Sequence, residues 1–90
     1  MNYSINSDGI DRYIWDVRIE TMKVLGTDRG ANAVHPLAYY IGTGRASVEF
    51  LHKLIAVSPV TIARILLDGG SDVQIMSRIK KRISFKESGL

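Results

Sequence analysis

Cysteine is absent from the 90-residue chain, and proline occurs only twice. Without thiols the chain has no disulfides, no thiolate metal ligands and no cysteine nucleophile. The scarcity of proline is compatible with a chain made largely of helices. Apolar residues make up 46% of the sequence and charged residues only 23%. This composition indicates one packed domain over residues 1–90 rather than a disordered chain.

Long hydrophobic runs are also missing. The longest apolar stretch with almost no charge, residues 31–43, is shorter than the roughly 18–20 residues that a membrane-spanning helix needs. Residues 1–16 have neither a basic start nor an apolar core of the secretory type. We therefore expect a soluble cytoplasmic protein that makes no contact with membranes.

Acidic residues are missing from residues 74–86, which nevertheless carry five cations: Arg78, Lys80, Lys81, Arg82 and Lys86. Residues 1–45 contain as many anions as cations, so the net charge of +3 arises entirely in the second half. Such a cluster attracts phosphates and acidic surfaces, although it could also be a solvated helix face.

The spacing of apolar residues predicts helices throughout and an all-α fold, a compact bundle of about five short helices. The first helix covers residues 9–25, with Asp8 as its N-cap and Gly26 as its end. Its residues Trp15 and Ile19 lie off the main apolar stripe. Residues 27–35 read as a loop, and Pro36 opens a short helix that ends at residues 42–44.

Residues 47–68 predict two short helices joined by a tight turn. Ser47 caps the first helix, whose apolar stripe is Val48, Leu51, Leu54 and Ile55. The turn is Ala56-Val57-Ser58, in which Val57 should fill the corner and Ser58 should cap the second helix behind Pro59. Packing then requires Ile62 and Ile65 to face inward.

The string LIAVSPVTIARIL at residues 54–66 resembles the helix-turn-helix of small bacterial and phage transcription regulators. The resemblance covers residues 48–67. His52 and Ala56 occupy positions where the motif usually has a small residue and a glycine. The resemblance implies that the second helix enters the DNA major groove. It further implies that the base-facing residues are Ser58, Pro59, Val60, Thr61 and Arg64.

A last, basic helix is predicted over residues 72–84, opened by a capping box of Ser71 and Gln74. Val73, Met76, Ile79 and Ile83 should face inward. Phosphate contacts are expected from this helix and from the segment before the helix-turn-helix. The residues predicted for them are Arg45, Ser47, Arg78, Lys80, Lys81 and Arg82.

Catalytic and metal-binding patterns are not found. His35 and His52, the two histidines, are seventeen residues apart and show no compact metal-ligand spacing. Ser47 and Ser58 have no base with an orienting carboxylate nearby in the pattern. The G-x-G at residues 42–44 lacks the preceding strand of a dinucleotide fold. We expect no enzyme, no metal and no cofactor.

Taken together, these features predict a sequence-specific regulator of transcription that binds double-stranded DNA as a homodimer. Trp15 and Ile19, or Met76, Ile79 and Ile83, could supply the dimer contact. The main alternative is a non-enzymatic helical interaction module that binds an acidic partner or another transcription protein. RNA binding through the basic helix and an ordinary corner between two core helices also stay open.

Overall fold

Six helices make up the computed structural model, which describes the backbone of residues 3–87 and the side chains of residues 3–84. The helices are α1 (Ser7–Leu25), α2 (Thr27–Ala33), α3 (His35–Gly42), α4 (Val48–Ile55), α5 (Pro59–Asp68) and α6 (Asp72–Glu87). No strand occurs in this part of the chain. The all-α prediction is confirmed, and the additional helix, α2, lies where the sequence predicted a loop.

Helix α1 is capped by Asn6, not by Asp8 as predicted. The side-chain oxygen of Asn6 accepts a hydrogen bond of 2.9 Å from the backbone N–H of Gly9. The helix ends as predicted at Gly26, which has a φ of 85° that disfavours residues with a side chain. One face of α1 is fully enclosed and carries Ile10, Tyr13, Ile14, Val17 and Thr21.

Helix α2 forms because it packs against α1, although its own sequence has no apolar stripe. The Thr21 hydroxyl lies 2.7 Å from the Gly30 carbonyl oxygen and 2.8 Å from that of Arg18. A Cβ at Gly30 would lie 2.4 Å from the Cα of Met22. The two backbones therefore approach so closely that only glycine fits at this crossing.

Helices α3 and α4 follow the predictions closely. Pro36 lies in the first turn of α3. The Ser47 hydroxyl accepts a hydrogen bond of 3.0 Å from the Phe50 N–H, which confirms Ser47 as the N-cap of α4. Phe50 and Leu54 are the buried residues of α4, whereas Val48 is 66% exposed and lies outside the core.

Helix α6 begins with the predicted capping box. The Ser71 hydroxyl accepts from the Gln74 N–H, and the Gln74 side chain accepts from the Ser71 N–H. The helix continues to Glu87, past the predicted end at residue 84. Val73, which was predicted to face inward, is 80% exposed, whereas Ile75 is buried. The inward stripe of α6 therefore begins at Ile75 rather than at Val73.

The core lies between α1 and the later helices. α1 packs against α2, α4 and α5, and α6 packs against α3, α4 and α5. Met76, Ile79 and Ile83 are at most 7% exposed within this core. These side chains are buried within a single chain, so the prediction that they supply a dimer contact is wrong.

No single helix within residues 3–87 has the length and apolar character to cross a membrane. Helices α4 and α5 meet that requirement only when taken together, and their axes are bent by 103° at the turn between them.

Candidate nucleic-acid interface

The turn between α4 and α5 forms a sharp corner. The 103° change of direction falls within the range of about 90–120° typical of helix-turn-helix corners. Val57 fills the corner as predicted and is 2% exposed. Ala56 has a φ of −79°, an ordinary right-handed conformation, so this turn does not require the usual glycine. His52 is exposed on α4 and is not buried between the two helices.

Tyr13 of α1 holds the corner from inside the molecule. Its hydroxyl donates a hydrogen bond of 2.7 Å to the carbonyl oxygen of Val57. The side chain is fully buried, and burial raises the pKa of the Tyr13 hydroxyl. No signal in the sequence indicated this bond, because its two partners are forty-four residues apart. This contact fixes the turn that positions α5.

The beginning of α5 faces outward. Ser58, Val60 and Arg64 are exposed, and Val60 keeps 38% of its surface open. Pro59 and Thr61 are half-buried. Ser58 occupies the predicted N-cap position of α5. Its side chain makes no capping hydrogen bond, so that part of the prediction is wrong. The opposite face is packed by Ile62, Ala63 and Leu66, while Ile65 is half-buried.

A groove of about 580 Å³ separates the start of α5 from α1. Its α1 side contains Arg12, Asp16 and Glu20. Arg12 lies 3.8 Å from a carboxylate oxygen of Asp16, and the Tyr3 hydroxyl donates to the other at 2.5 Å. Burial and this bond to Asp16 raise the pKa of Tyr3 to about 12. The surface beside α5 therefore carries both signs of charge.

Three of the residues predicted to contact phosphates come together elsewhere. Arg45, Lys80 and Lys81 line one groove of about 860 Å³, between α3 and α6. Its other walls are largely apolar and aromatic: Pro36, Tyr39, Tyr40, Val73 and Met76, with Asp72, Ser77 and Ser84. This groove shares no lining residue with the one beside the start of α5.

The other three predicted phosphate contacts, Ser47, Arg78 and Arg82, interact with or are partly buried by the rest of the fold. A guanidinium nitrogen of Arg78 donates to the Gly69 carbonyl and so holds the end of α5. The Ser47 hydroxyl caps α4. Arg82 is half-buried. Lys86, the remaining cation of the basic segment, lies outside the described side chains. The predicted phosphate contacts therefore do not form a single surface.

Neither histidine belongs to a cluster of metal-binding type. His35 lies beside Tyr39 with 5.5 Å between the ring centroids. Within the part of the chain that the structure describes, no three His, Asp or Glu side chains lie close enough together to hold a metal ion.

In comparison with known proteins, no protein-family model, curated protein or solved structure matched this chain.

Proposed function

We propose that this chain is a non-enzymatic regulator of transcription that binds specific sites on double-stranded DNA through α5. The observation that carries the proposal is the outward-facing start of α5 at a corner held by buried Val57 and Tyr13. A helix presented in this way can insert its first turns between the phosphate ridges of the major groove.

The side chains on this face favour a limited set of base contacts. Arg64 can donate two hydrogen bonds to the O6 and N7 of a guanine, and Val60 can contact the methyl group of a thymine. The Ser58 hydroxyl, which is not engaged in capping, can bond to a base edge or a phosphate. Arg64 therefore supplies most of the discrimination in this proposal.

Charge near α5 restricts how the duplex approaches. Asp16 and Glu20 repel phosphates, whereas Arg12, whose side chain is 74% exposed, attracts them. Arg45, Lys80 and Lys81 contribute long-range attraction even from a separate groove. These three residues also contact phosphates of the bound duplex directly. Each phosphate that is neutralised would add a slope of roughly −0.9 to the dependence of log affinity on log salt.

A homodimer would place two copies of α5 about 34–36 Å apart, one turn of DNA. Trp15, which is 49% exposed, and half-buried Ile19 are the apolar residues of α1 that support such a contact. Selection from random duplexes at moderate salt tests the proposal and its symmetry together. An enriched motif with two-fold symmetry supports both, and no enrichment over the starting pool contradicts DNA reading.

The Arg64→Ala variant tests which residue reads the selected motif. We expect a loss of roughly 1–3 kcal/mol in binding to the selected duplex and relaxed preference at one base pair, because a bidentate contact to guanine is removed. Fluorescence anisotropy measures both effects. Arg29→Ala is the matched control, since Arg29 is also exposed but lies on α2. If Arg64→Ala and Arg29→Ala bind the matched duplex equally well and reject the mismatched duplex equally well, Arg64 does not read the motif.

A further inference from the structure

The groove between α3 and α6 leaves two large apolar side chains uncovered. Val73 is 80% exposed and Tyr39 is 49% exposed, and both line the groove beside half-buried Pro36 and buried Met76. Large apolar side chains that lie together in a concavity mark binding surfaces more often than isolated ones do. The position of Val73 is the clearest sign, because the apolar stripe of α6 turns into the core only at Ile75.

Two of the three described cations of this groove, Lys80 and Arg45, lie over its aromatic rings. The Nζ of Lys80 is 4.9 Å from the centroid of the Tyr40 ring, and the guanidinium carbon of Arg45 is 5.8 Å from that of Tyr39. Lys81 also lines the groove. Among the lining residues whose side chains the structure describes, Asp72 at the start of α6 is the one acid. An occupant therefore meets apolar surface bordered by positive charge.

The groove is elongated. Its lining residues on α6 run from Asp72 to Ser84, a length of about 18 Å at roughly 1.5 Å per residue. Val73, Ser77, Lys80 and Ser84 recur at spacings of three and four, so they form one continuous stripe along the helix. A channel of this length matches about three turns of a second helix laid against α6.

We propose that this groove binds an acidic amphipathic helix of a partner protein. The apolar face of that helix covers Val73 and Tyr39, and its carboxylates pair with Lys80, Lys81 and Arg45. Asp72 repels carboxylates at its own end, so the acidic residues lie toward Lys80 and Lys81. Nucleic-acid bases fit less well, because the cations already lie over the tyrosine rings on which bases would stack. The proposal goes beyond DNA binding and does not depend on it.

A fluorescein-labelled 14-residue peptide is the probe, with leucines at one helical stripe and glutamates on the flanking faces. Two further peptides of equal length serve as comparisons: one with lysines in place of the glutamates and one with the same residues scrambled. Fluorescence anisotropy with the full chain should show that the glutamate peptide binds at least tenfold more tightly than either. Amide shifts in NMR should map to Tyr39, Tyr40, Val73 and Ser77.

The Val73→Asp variant tests the groove itself and leaves all of its cations in place. We expect at least a tenfold loss of affinity for the glutamate peptide. Val48→Asp is the matched control, because Val48 is 66% exposed, lies in the first turn of α4 and does not line the groove. Circular dichroism verifies that both variants fold.

Equal binding of the glutamate and scrambled peptides, or equal affinities of the two variants, would overturn the proposal. A single-stranded oligonucleotide that binds more tightly than the glutamate peptide and is sensitive to Val73→Asp would also overturn it, in favour of nucleic acid. Failure of the duplex selection would leave these results unaffected, so the two proposals are tested separately.

Discussion

Replacement of Tyr13 by phenylalanine tests whether the corner before α5 is held from inside the molecule. The change removes one oxygen atom and leaves the Val57 carbonyl without the hydroxyl that bonds to it at 2.7 Å. A buried polar group that loses its partner costs about 1–3 kcal/mol. In a domain of this size each kcal/mol lowers Tm by roughly 4–8 °C. Urea unfolding at pH 7 should show this loss for Tyr13→Phe.

The same hydroxyl makes stability depend on pH in the alkaline range. Burial raises the pKa of Tyr13 above its ordinary value of 10.0, so the folded chain retains a proton that the unfolded chain loses. The stabilisation is complete below pH 10 and declines as pH rises toward the folded-state pKa. The free energy of unfolding should fall by up to about 1.4 kcal/mol per pH unit from this residue. Tyr13→Phe should show a shallower decline between pH 10 and 11.5.

Tyr39→Phe is the matched control for both measurements, because Tyr39 is about half exposed on α3. It should lose less than about 0.5 kcal/mol, as substitutions at exposed positions usually do. If Tyr13→Phe is as stable as this control at pH 7 and has the same alkaline slope as the parent chain, the hydroxyl does not hold the turn. The α5 surface would then need another source of rigidity.

Two further substitutions test the packing and the helix start. Gly30→Ala should destabilise the fold by about 1–3 kcal/mol in thermal unfolding, because its Cβ would lie 2.4 Å from the Cα of Met22. Gly42→Ala is the control, because Gly42 is helical and a Cβ there would meet open space; it should be neutral or stabilise the fold by up to about 1 kcal/mol. If both substitutions change the free energy of unfolding in the same direction, the close approach of Gly30 to Met22 is contradicted. Ser71→Ala should cost about 0.5–2 kcal/mol in urea unfolding by removing the acceptor for the Gln74 N–H. No loss would show that the capping box adds nothing to the stability of α6.

Local signals predicted the parts of the fold that depend on neighbouring residues. Ser47, Gly26 at the end of α1 and the Ser71 and Gln74 pair act within a few residues of themselves, and their roles are confirmed. Helix α2 could not be predicted in this way. It depends on the contact between Gly30 and α1, which is a property of two backbones rather than of a hydrophobic pattern.

Two of the errors in the apolar pattern, at Val48 and Val73, have one cause. Val48 and Val73 lie in the first turns of α4 and α6, and apolar spacing alone assigned both to the core. A helix start often projects beyond the element it packs on, so periodicity there does not guarantee burial. The exposed Val73 is also the residue that marks the groove, which means that this error concealed the most informative apolar side chain on α6.

Helix α1 decides what the candidate DNA surface can do, although the helix-turn-helix resemblance does not include it. Through Tyr13 it fixes the turn, and through Asp16, Glu20 and Arg12 it sets the charge beside the start of α5. A duplex that inserts α5 must bring phosphates past these carboxylates or over Arg12. Under the proposed function, α1 would therefore set the approach of the duplex, which a twenty-residue motif does not specify. For the same reason, a peptide of residues 47–68 alone should not reproduce the binding of the whole chain.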